Sequence, residues 1–176
     1  MDKIVSIEGS PQLTSWDMLW LRTGLLAVES DSDWNNGQYT TEPKLHLFDS
    51  VFSLILRTPE YVASKRPTKD FEKFFAGRVE DGSFAAADRF RQMQAVLTQD
   101  VAATFGGSLE RAAAAVRVPV LIIVNLQDHV VNPLTSLQFA KLIKAQILQL
   151  DSNCGHIAVS CEASRIDETI ARFLQD

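Results

Sequence analysis

Hydrophobic residues follow two patterns along this chain, and the first predicts strands. Residues 3–7 (KIVSI), 118–124 (VPVLIIV) and 146–150 (QILQL) are short apolar runs, each followed within two residues by Gly, Asn or Asp. Such runs are typical of β-strands that end in turns. The run at 118–124 has no polar alternation, which indicates a strand covered on both faces of a parallel sheet.

The second pattern, with apolar residues every three or four positions, predicts helices. The predicted helices cover about residues 14–29, 44–56, 71–77, 84–105, 109–116, 133–143 and 161–174, and 84–105 is expected to be the longest. Strands separated by helices and short loops predict an α/β fold with a parallel sheet. We expect about three parallel strands in one domain over residues 1–176, with a mostly helical insertion at about 12–107.

The composition is that of an ordinary globular protein. The chain has 176 residues, of which 46% are hydrophobic and 22% are charged. A chain of this length can bury a core without metals or disulfides. Its net charge of −5 argues against broad electrostatic binding to nucleic acid, which requires a basic face.

Neither a membrane segment nor an export signal is predicted. No apolar run reaches the roughly 18 residues that a membrane span needs. The N-terminal residues MDKIVSIEGS lack the apolar core and cleavage site of a signal peptide. Cys154 and Cys161 are too few for a disulfide framework, so we expect free thiols and a cytoplasmic location.

Two residues that could carry chemistry follow predicted strands. Asp128 follows the strand that ends at Val124, and His156 follows the strand that ends at Leu150. The carboxyl ends of parallel strands lie at one edge of a sheet, so the two side chains can meet. A carboxylate that accepts from one imidazole nitrogen leaves the other nitrogen as a base. His129 is a competing partner for Asp128, although its polar loop favours a solvent-exposed position.

The segments VPVLIIVNLQDHVVNP and LQLDSNCGHIAV resemble the end of the α/β-hydrolase fold, whose catalytic residues run in the order serine, acid, histidine. KIVSIEGSPQLTSWD and DSDWNNGQY resemble the parts that follow the nucleophile in the homoserine O-acetyltransferase-like branch. The resemblance covers nearly the whole chain and implies that it is the C-terminal part of this fold. It implies Asp128 as the acid and His156 as the histidine of a catalytic triad, with the inserted helices as a lid over a substrate tunnel. It also implies acyl transfer, with acyl-CoA as a possible donor and no resident cofactor or metal.

The sequence lacks the serine that the resemblance requires. That nucleophile lies on a sharp strand-to-helix turn, usually within Gly-x-Ser-x-Gly. Ser10 is only a weak candidate, because Pro11 has no N–H to donate to an oxyanion. Ser83 and Ser108 are not preceded by a predicted strand. We expect the nucleophile to lie upstream of residue 1.

The residue after His156 is a second departure from the branch. Members of the branch usually have an aspartate there, which helps to hold the substrate amine. Ile157 occupies this position, which argues against homoserine as a substrate.

Three functions fit these residues. The first is acyl transfer with a serine supplied from elsewhere, so that the chain alone is inactive. The second is a non-catalytic interaction module or fragment, and the third is a weak esterase built on Ser10, Asp128 and His156. Cys154 is disfavoured as a nucleophile, because a thiol two residues from the histidine is poorly placed for attack.

The strand at residues 3–7 predicts a partner. If its inner neighbour is missing, its unpaired edge is a template for association. We therefore expect a homo-oligomer, or a polypeptide that supplies the N-terminal half, to cover this edge.

Overall fold

The structure is a computed structural model that describes residues 2–76 and 84–175. Gly77, the predicted end of one helix, and Ser83 lie outside the described residues. The strands are β1 (Ile4–Ile7), β2 (Val120–Asn125) and β3 (Gln146–Leu150). The helices are α1 (Ser15–Glu29), α2 (His46–Leu56), α3 (Pro59–Lys65), α4 (Phe71–Ala76), α5 (Ala86–Leu97), α6 (Leu109–Ala115), α7 (Leu134–Ile143), α8 (Ala158–Cys161) and α9 (Ala163–Gln175).

The three strands form one parallel sheet in the order β1–β2–β3. Ile7 is paired with Ile123, and Asn125 is paired with Leu150, so all three carboxyl ends lie at one edge. Every residue of β2 is buried. The three predicted strands, their parallel arrangement and the double covering of β2 are confirmed.

Alternate residues of β2 pack into two different hydrophobic clusters. Leu121 and Ile123 face α8 and α9, where they belong to a cluster with Ile166 and Phe173. Residues of the opposite face pack with α7 in a second cluster, which comprises Val120, Ile122, Val124 and Ala140. This period of two is the geometry of a strand between two layers of helices.

The segment between β1 and β2 is helical and has a core of its own. Leu21 and Val28 of α1 pack with Phe48 of α2 and with Phe90 and Met93 of α5. Helix α1 begins with a capping box, in which Thr14 and Asp17 exchange side-chain and backbone hydrogen bonds. With 15 residues, α1 is longer than the 12-residue α5.

The prediction of one long helix over residues 84–105 is therefore wrong. Helix α5 ends at Leu97, and Asp100 makes an isolated bridge with Gln12. The Asp100 carboxylate accepts from the Ala102 N–H and the Gln12 amide, so it satisfies groups that a continuous helix would pair differently. A short 3₁₀ turn, Ala103–Phe105, follows.

Strand β1 is an edge of the described sheet, where it pairs with β2 alone. Its first three residues are half-buried, and Ile7 is 41% exposed. Within the described residues, no helix is both long enough and apolar enough to cross a membrane.

Truncation of a β2 side chain tests this core. Leu121 has 0% exposure, so Leu121→Ala leaves a cavity between the sheet and α9. We expect the free energy of unfolding to fall by about 2–5 kcal/mol in urea titration. Leu54→Ala is the matched control, because Leu54 is 79% exposed and its truncation should change stability by less than about 0.5 kcal/mol. Equal effects of the two substitutions would contradict the assigned core.

Candidate active site

The loops that follow the three strands bring an acid, a second acid and a histidine together. Glu8 follows β1 directly, Asp128 lies three residues beyond β2, and His156 lies six residues beyond β3. Donor and acceptor atoms of the three side chains lie within 4.8 Å of one another. The parallel register produces this convergence, because it places all three loops at the same sheet edge.

Asp128 and His156, which the sequence places where they can meet, are joined by a hydrogen bond. His156 Nδ1 lies 2.9 Å from Asp128 Oδ2. The other carboxylate oxygen, Oδ1, accepts from the N–H groups of Val130 and Val131 at 2.8 and 2.9 Å. Because a carboxylate accepts, Nδ1 carries the proton and Nε2 keeps its lone pair. The pair therefore has the orientation of an acid and a general base.

Asn125, the last residue of β2, holds the histidine loop. Its amide nitrogen donates to the carbonyls of Ser152 and Gly155 at 2.9 and 2.7 Å, and its oxygen accepts from the Ser152 N–H at 2.9 Å. Asn125 has 0% exposure, so these bonds replace the water that its amide has lost. The sequence predicts Asn125 only as the end of a strand, although a polar residue at the end of an apolar run is a usable signal.

Gly155 allows the same loop to approach the inserted helices. Its φ of 64° lies in the left-handed region, and an added Cβ would lie 2.8 Å from the Leu56 carbonyl oxygen. Beside it, the Thr58 hydroxyl donates to the Asn153 carbonyl at 2.9 Å. A side chain at position 155 would push the loop away from the α2–α3 junction.

Helix α1 fixes the acid loop from the other side. The indole N–H of Trp20 donates to the Val130 carbonyl at 2.8 Å, and Asp17 accepts from the Asn132 N–H at 2.9 Å. The Trp16 indole donates to the His129 carbonyl. The Asp128 loop is thus held by its own turn and by the inserted helices.

Glu8 is the residue that sequence reasoning missed. Its carboxylate oxygen Oε2 lies 3.6 Å from His156 Nδ1, and its side chain is 6% exposed. Its N–H donates to the Ile123 carbonyl at 2.8 Å, which continues the pairing of β1 with β2. The rule that selected Asp128 and His156, a polar residue just past a strand, also selects Glu8.

The cluster shifts the proton affinity of its members. Burial raises the pKa of Glu8 to about 7, an effect that the charge of His156 opposes and that of Asp128 assists. Burial alone would lower the pKa of His156, but the hydrogen bond that His156 donates to Asp128 and the charges of Asp128 and Glu8 outweigh it and raise that pKa. Both groups therefore hold a proton more tightly in the cluster than they would in water.

A cavity of about 420 Å³ lies beside the cluster, between the sheet edge and helices α1, α2 and α5. Most of its wall is apolar, with Leu13, Trp20, Phe52, Met93 and Val130 among the lining residues. Glu8, Asp17 and His156 also line it, whereas none of the described lining residues is Lys or Arg. Such a cavity suits an uncharged, mostly apolar ligand.

Ser10 lines this cavity, but its hydroxyl is hydrogen-bonded to other residues. Its hydroxyl donates to the Gln12 carbonyl and lies 2.8 Å from the Thr135 hydroxyl. No hydrogen bond joins Ser10 to His156 in the part of the chain that the structure describes. His129, the competing partner, is exposed, and Asp128 pairs with His156.

The prediction of free thiols is wrong. Cys154 and Cys161 form a disulfide bond, which closes a loop around His156. A 3₁₀ turn and the short helix α8 bring their Cα atoms to 6.6 Å, within disulfide reach. The disulfide also leaves Cys154 no thiol for nucleophilic attack. The cytoplasmic location stays a prediction.

The spacing of Glu8, Asp128 and His156 would suit a cation, but the hydrogen bond between Asp128 and His156 accounts for it without one. We therefore assign none of the three as a metal ligand.

The fold is part of the α/β-hydrolase fold. The chain is similar to the crystal structure of a homoserine O-acetyltransferase from Bacillus anthracis, with a TM-score of 0.86 and 19% identity over 100% of this chain and 54% of that chain. It is similar to the acetyl esterase MekB, with a TM-score of 0.87 and 17% identity over 99% of this chain and 55% of that one. For esterase E22 the TM-score is 0.84, at 17% identity over 99% of this chain and 54% of that one.

These similarities confirm the predicted fold class. The chain spans about half the length of the solved structures that it matches. No protein-family model and no curated protein matches the sequence.

Replacing Glu8 tests its burial through the pH dependence of stability. Between the ordinary Glu pKa of 4.5 and about 7, folded Glu8 binds more protons than unfolded Glu8, so its contribution to stability falls as pH rises through this window. In Glu8→Gln that loss disappears. We expect the free energy of unfolding of Glu8→Gln, relative to the unchanged chain, to increase by on the order of 2 kcal/mol between pH 4.5 and 8 in urea titrations.

The matched control is Asp151→Asn, which neutralises an exposed carboxylate on the histidine loop. Its stability relative to the unchanged chain should stay flat over the same window. A flat difference for Glu8→Gln as well would show that folding does not raise the pKa of Glu8.

Proposed function

We propose that this chain supplies the acid and the histidine of an acyl-transfer site that acts on esters of small uncharged acyl groups. The observation that carries the proposal is the 2.9 Å hydrogen bond between Asp128 and His156. Asn125 and α1 hold the two loops on which these residues lie. His156 Nε2 would take the proton of a serine hydroxyl as that oxygen attacks the acyl carbonyl. The ester alcohol leaves with a proton from His156, and a second acceptor, water or another alcohol, then releases the acyl group.

The serine itself comes from outside residues 1–176 in this proposal. Ser10 has its hydroxyl bonded to Gln12 and Thr135, and Pro11 offers no N–H for an oxyanion. The similarity of the fold to proteins described as an acetyltransferase and esterases supports the class of reaction. Residues 1–176 alone would then be inactive.

The cavity favours ester substrates over charged acyl donors. Two carboxylates, Glu8 and Asp17, line it, and among its described lining residues there is no Lys or Arg to bind a phosphate or a carboxylate. Anionic donors such as acyl-CoA, and an acceptor with a carboxylate, would enter against this charge. Short-chain neutral esters are therefore the expected substrates.

The exposed edge of β1 is the proposed attachment site for the missing segment. Beside it lies a depression of about 210 Å³, lined mainly by apolar residues such as Ile4, Pro11, Val101 and Val120. A strand added to this edge would satisfy the open side of β1 and cover the depression. We propose as its occupant a polypeptide segment that carries a strand, a Gly-x-Ser-x-Gly turn and a helix.

Active-site labelling tests these proposals. The chain is isolated from its own cells by affinity, both unchanged and as His156→Ala, and treated with a fluorophosphonate probe. We expect the probe to mark a serine outside residues 1–176, and hydrolysis of p-nitrophenyl acetate to fall about 10²–10⁴-fold in His156→Ala. The purified chain of residues 1–176 should give no hydrolysis above that of its own His156→Ala variant.

Other results would select a different function. Labelling of Ser10, with activity of the purified chain that is lost in both Ser10→Ala and His156→Ala, would favour the rearranged esterase. Neither label nor activity in any preparation would favour a non-catalytic module. A homodimer in light scattering, without any labelled polypeptide, would make a second copy the occupant of the β1 edge.

A further inference from the structure

We propose that Glu8 is a positioning residue for His156: its carboxylate is a second anionic partner of Nδ1 and stabilises the protonated imidazole together with Asp128. The proposal builds on the function given above only in treating His156 as a base. An imidazolium forms when that base accepts a proton, and two carboxylates rather than one would then stabilise it.

The geometry separates the roles of the two acids. Asp128 Oδ2 lies 2.9 Å from Nδ1, which is hydrogen-bond distance, whereas Glu8 Oε2 lies 3.6 Å from the same nitrogen. At 3.6 Å the carboxylate acts mainly through its charge. The side chains of Glu8 and Asp128 are 6% and 1% exposed, so little water screens this charge from the imidazole, whose own side chain is 27% exposed.

Packing alone does not explain why a glutamate occupies position 8. Its second oxygen, Oε1, is buried and accepts no hydrogen bond from the described residues. Its backbone has a φ of 47°, in the left-handed region that a residue with a Cβ rarely adopts. An unpaired buried oxygen and a strained backbone are both unfavourable, and such features concentrate at functional sites.

Within the described cluster of Glu8, Asp128 and His156, only His156 can carry a positive charge. Charged groups face the imidazole from the β1 loop, Glu8, and from the β2 loop, Asp128. Asp17 of α1 lines the same cavity, but its carboxylate is occupied by Thr14 and Asn132. Helix α5 contributes the uncharged Gln92, and the segment that follows it contributes the uncharged Gln99. From the α2–α3 junction, Arg57 lies with its backbone against Gly155 and its guanidinium over the Tyr61 ring.

Coupling between the two groups has a signature that a structural role lacks. Burial, opposed by the charge of His156, raises the pKa of Glu8 to about 7, and the two carboxylates raise the pKa of His156. Each ionised Glu8 strengthens proton binding by His156 as the pH rises. The titration of His156 should therefore be broader than that of a single independent site.

NMR titration of the imidazole carbons in the chain of residues 1–176 tests the proposal. The chain has three histidines, and the exposed His46 and His129 serve as internal references. In the unchanged chain we expect a Hill coefficient below one for His156. In Glu8→Gln the curve should steepen to that of one site, and the proton affinity of His156 should fall about tenfold.

Two further variants calibrate the result. Asp151→Asn removes an exposed charge from the same loop and should leave the midpoint of His156 in place. In Asp128→Asn, Glu8 should still hold the midpoint of His156 above that of the double variant Glu8→Gln/Asp128→Asn. A cycle built from these variants isolates the contribution of Glu8.

A one-site curve for His156 in the unchanged chain, with a midpoint no higher than those of His46 and His129, would overturn the proposal, and this measurement needs no variant to fold. An unchanged midpoint in a folded Glu8→Gln would overturn it as well. Neither readout requires a nucleophile, so the absence of a labelled serine and of esterase activity in the preparation isolated from cells would count against the proposed function and leave this assignment intact.

Discussion

The site depends on one constraint: β2 is buried on both faces and pairs in parallel with a strand on each side. Because the pairing is parallel, all three strands end at the same edge of the sheet. Burial on both faces fixes the register, because a shift of β2 along its neighbours would expose apolar residues. Ile7 pairs with Ile123 and Asn125 pairs with Leu150, so the loops that carry Glu8, Asp128 and His156 all begin at this edge. The chemistry of the site is thus a consequence of packing in the sheet.

The loops also need hydrogen-bond partners to hold their conformations once they meet at this edge. A loop over a sheet edge exposes backbone N–H and C=O groups that need partners. Asn125 satisfies three of them in the histidine loop, and Asp128 satisfies two in its own turn. The inserted helices add bonds through Trp20 and Asp17, so the insertion stabilises the acid loop as well as walling the cavity.

Sequence reasoning succeeded where the signal was local and strong. The apolar run at 118–124 identified the central strand, and the polar residues after two strands identified Asp128 and His156. It failed where a distant partner decided the outcome. Helix α5 stops at Leu97 because Asp100 pairs with Gln12 across 88 positions of sequence, which no helical periodicity records. The cysteines bond because two short turns bring them together, and their number alone predicted otherwise.

The sequence by itself determined the α/β class, the parallel arrangement and the positions of Asp128 and His156 after two strands, because burial patterns and strand ends depend on neighbouring residues. Only the tertiary structure decided that Glu8 joins the pair, that Asn125 holds the histidine loop, and that Ser10 is bonded to Gln12 and Thr135. An acidic residue after a strand is usually solvated, and nothing in the order of residues shows that this one is buried. Its role arises from distances between atoms that lie more than a hundred positions apart in the chain, and the folded sheet sets those distances.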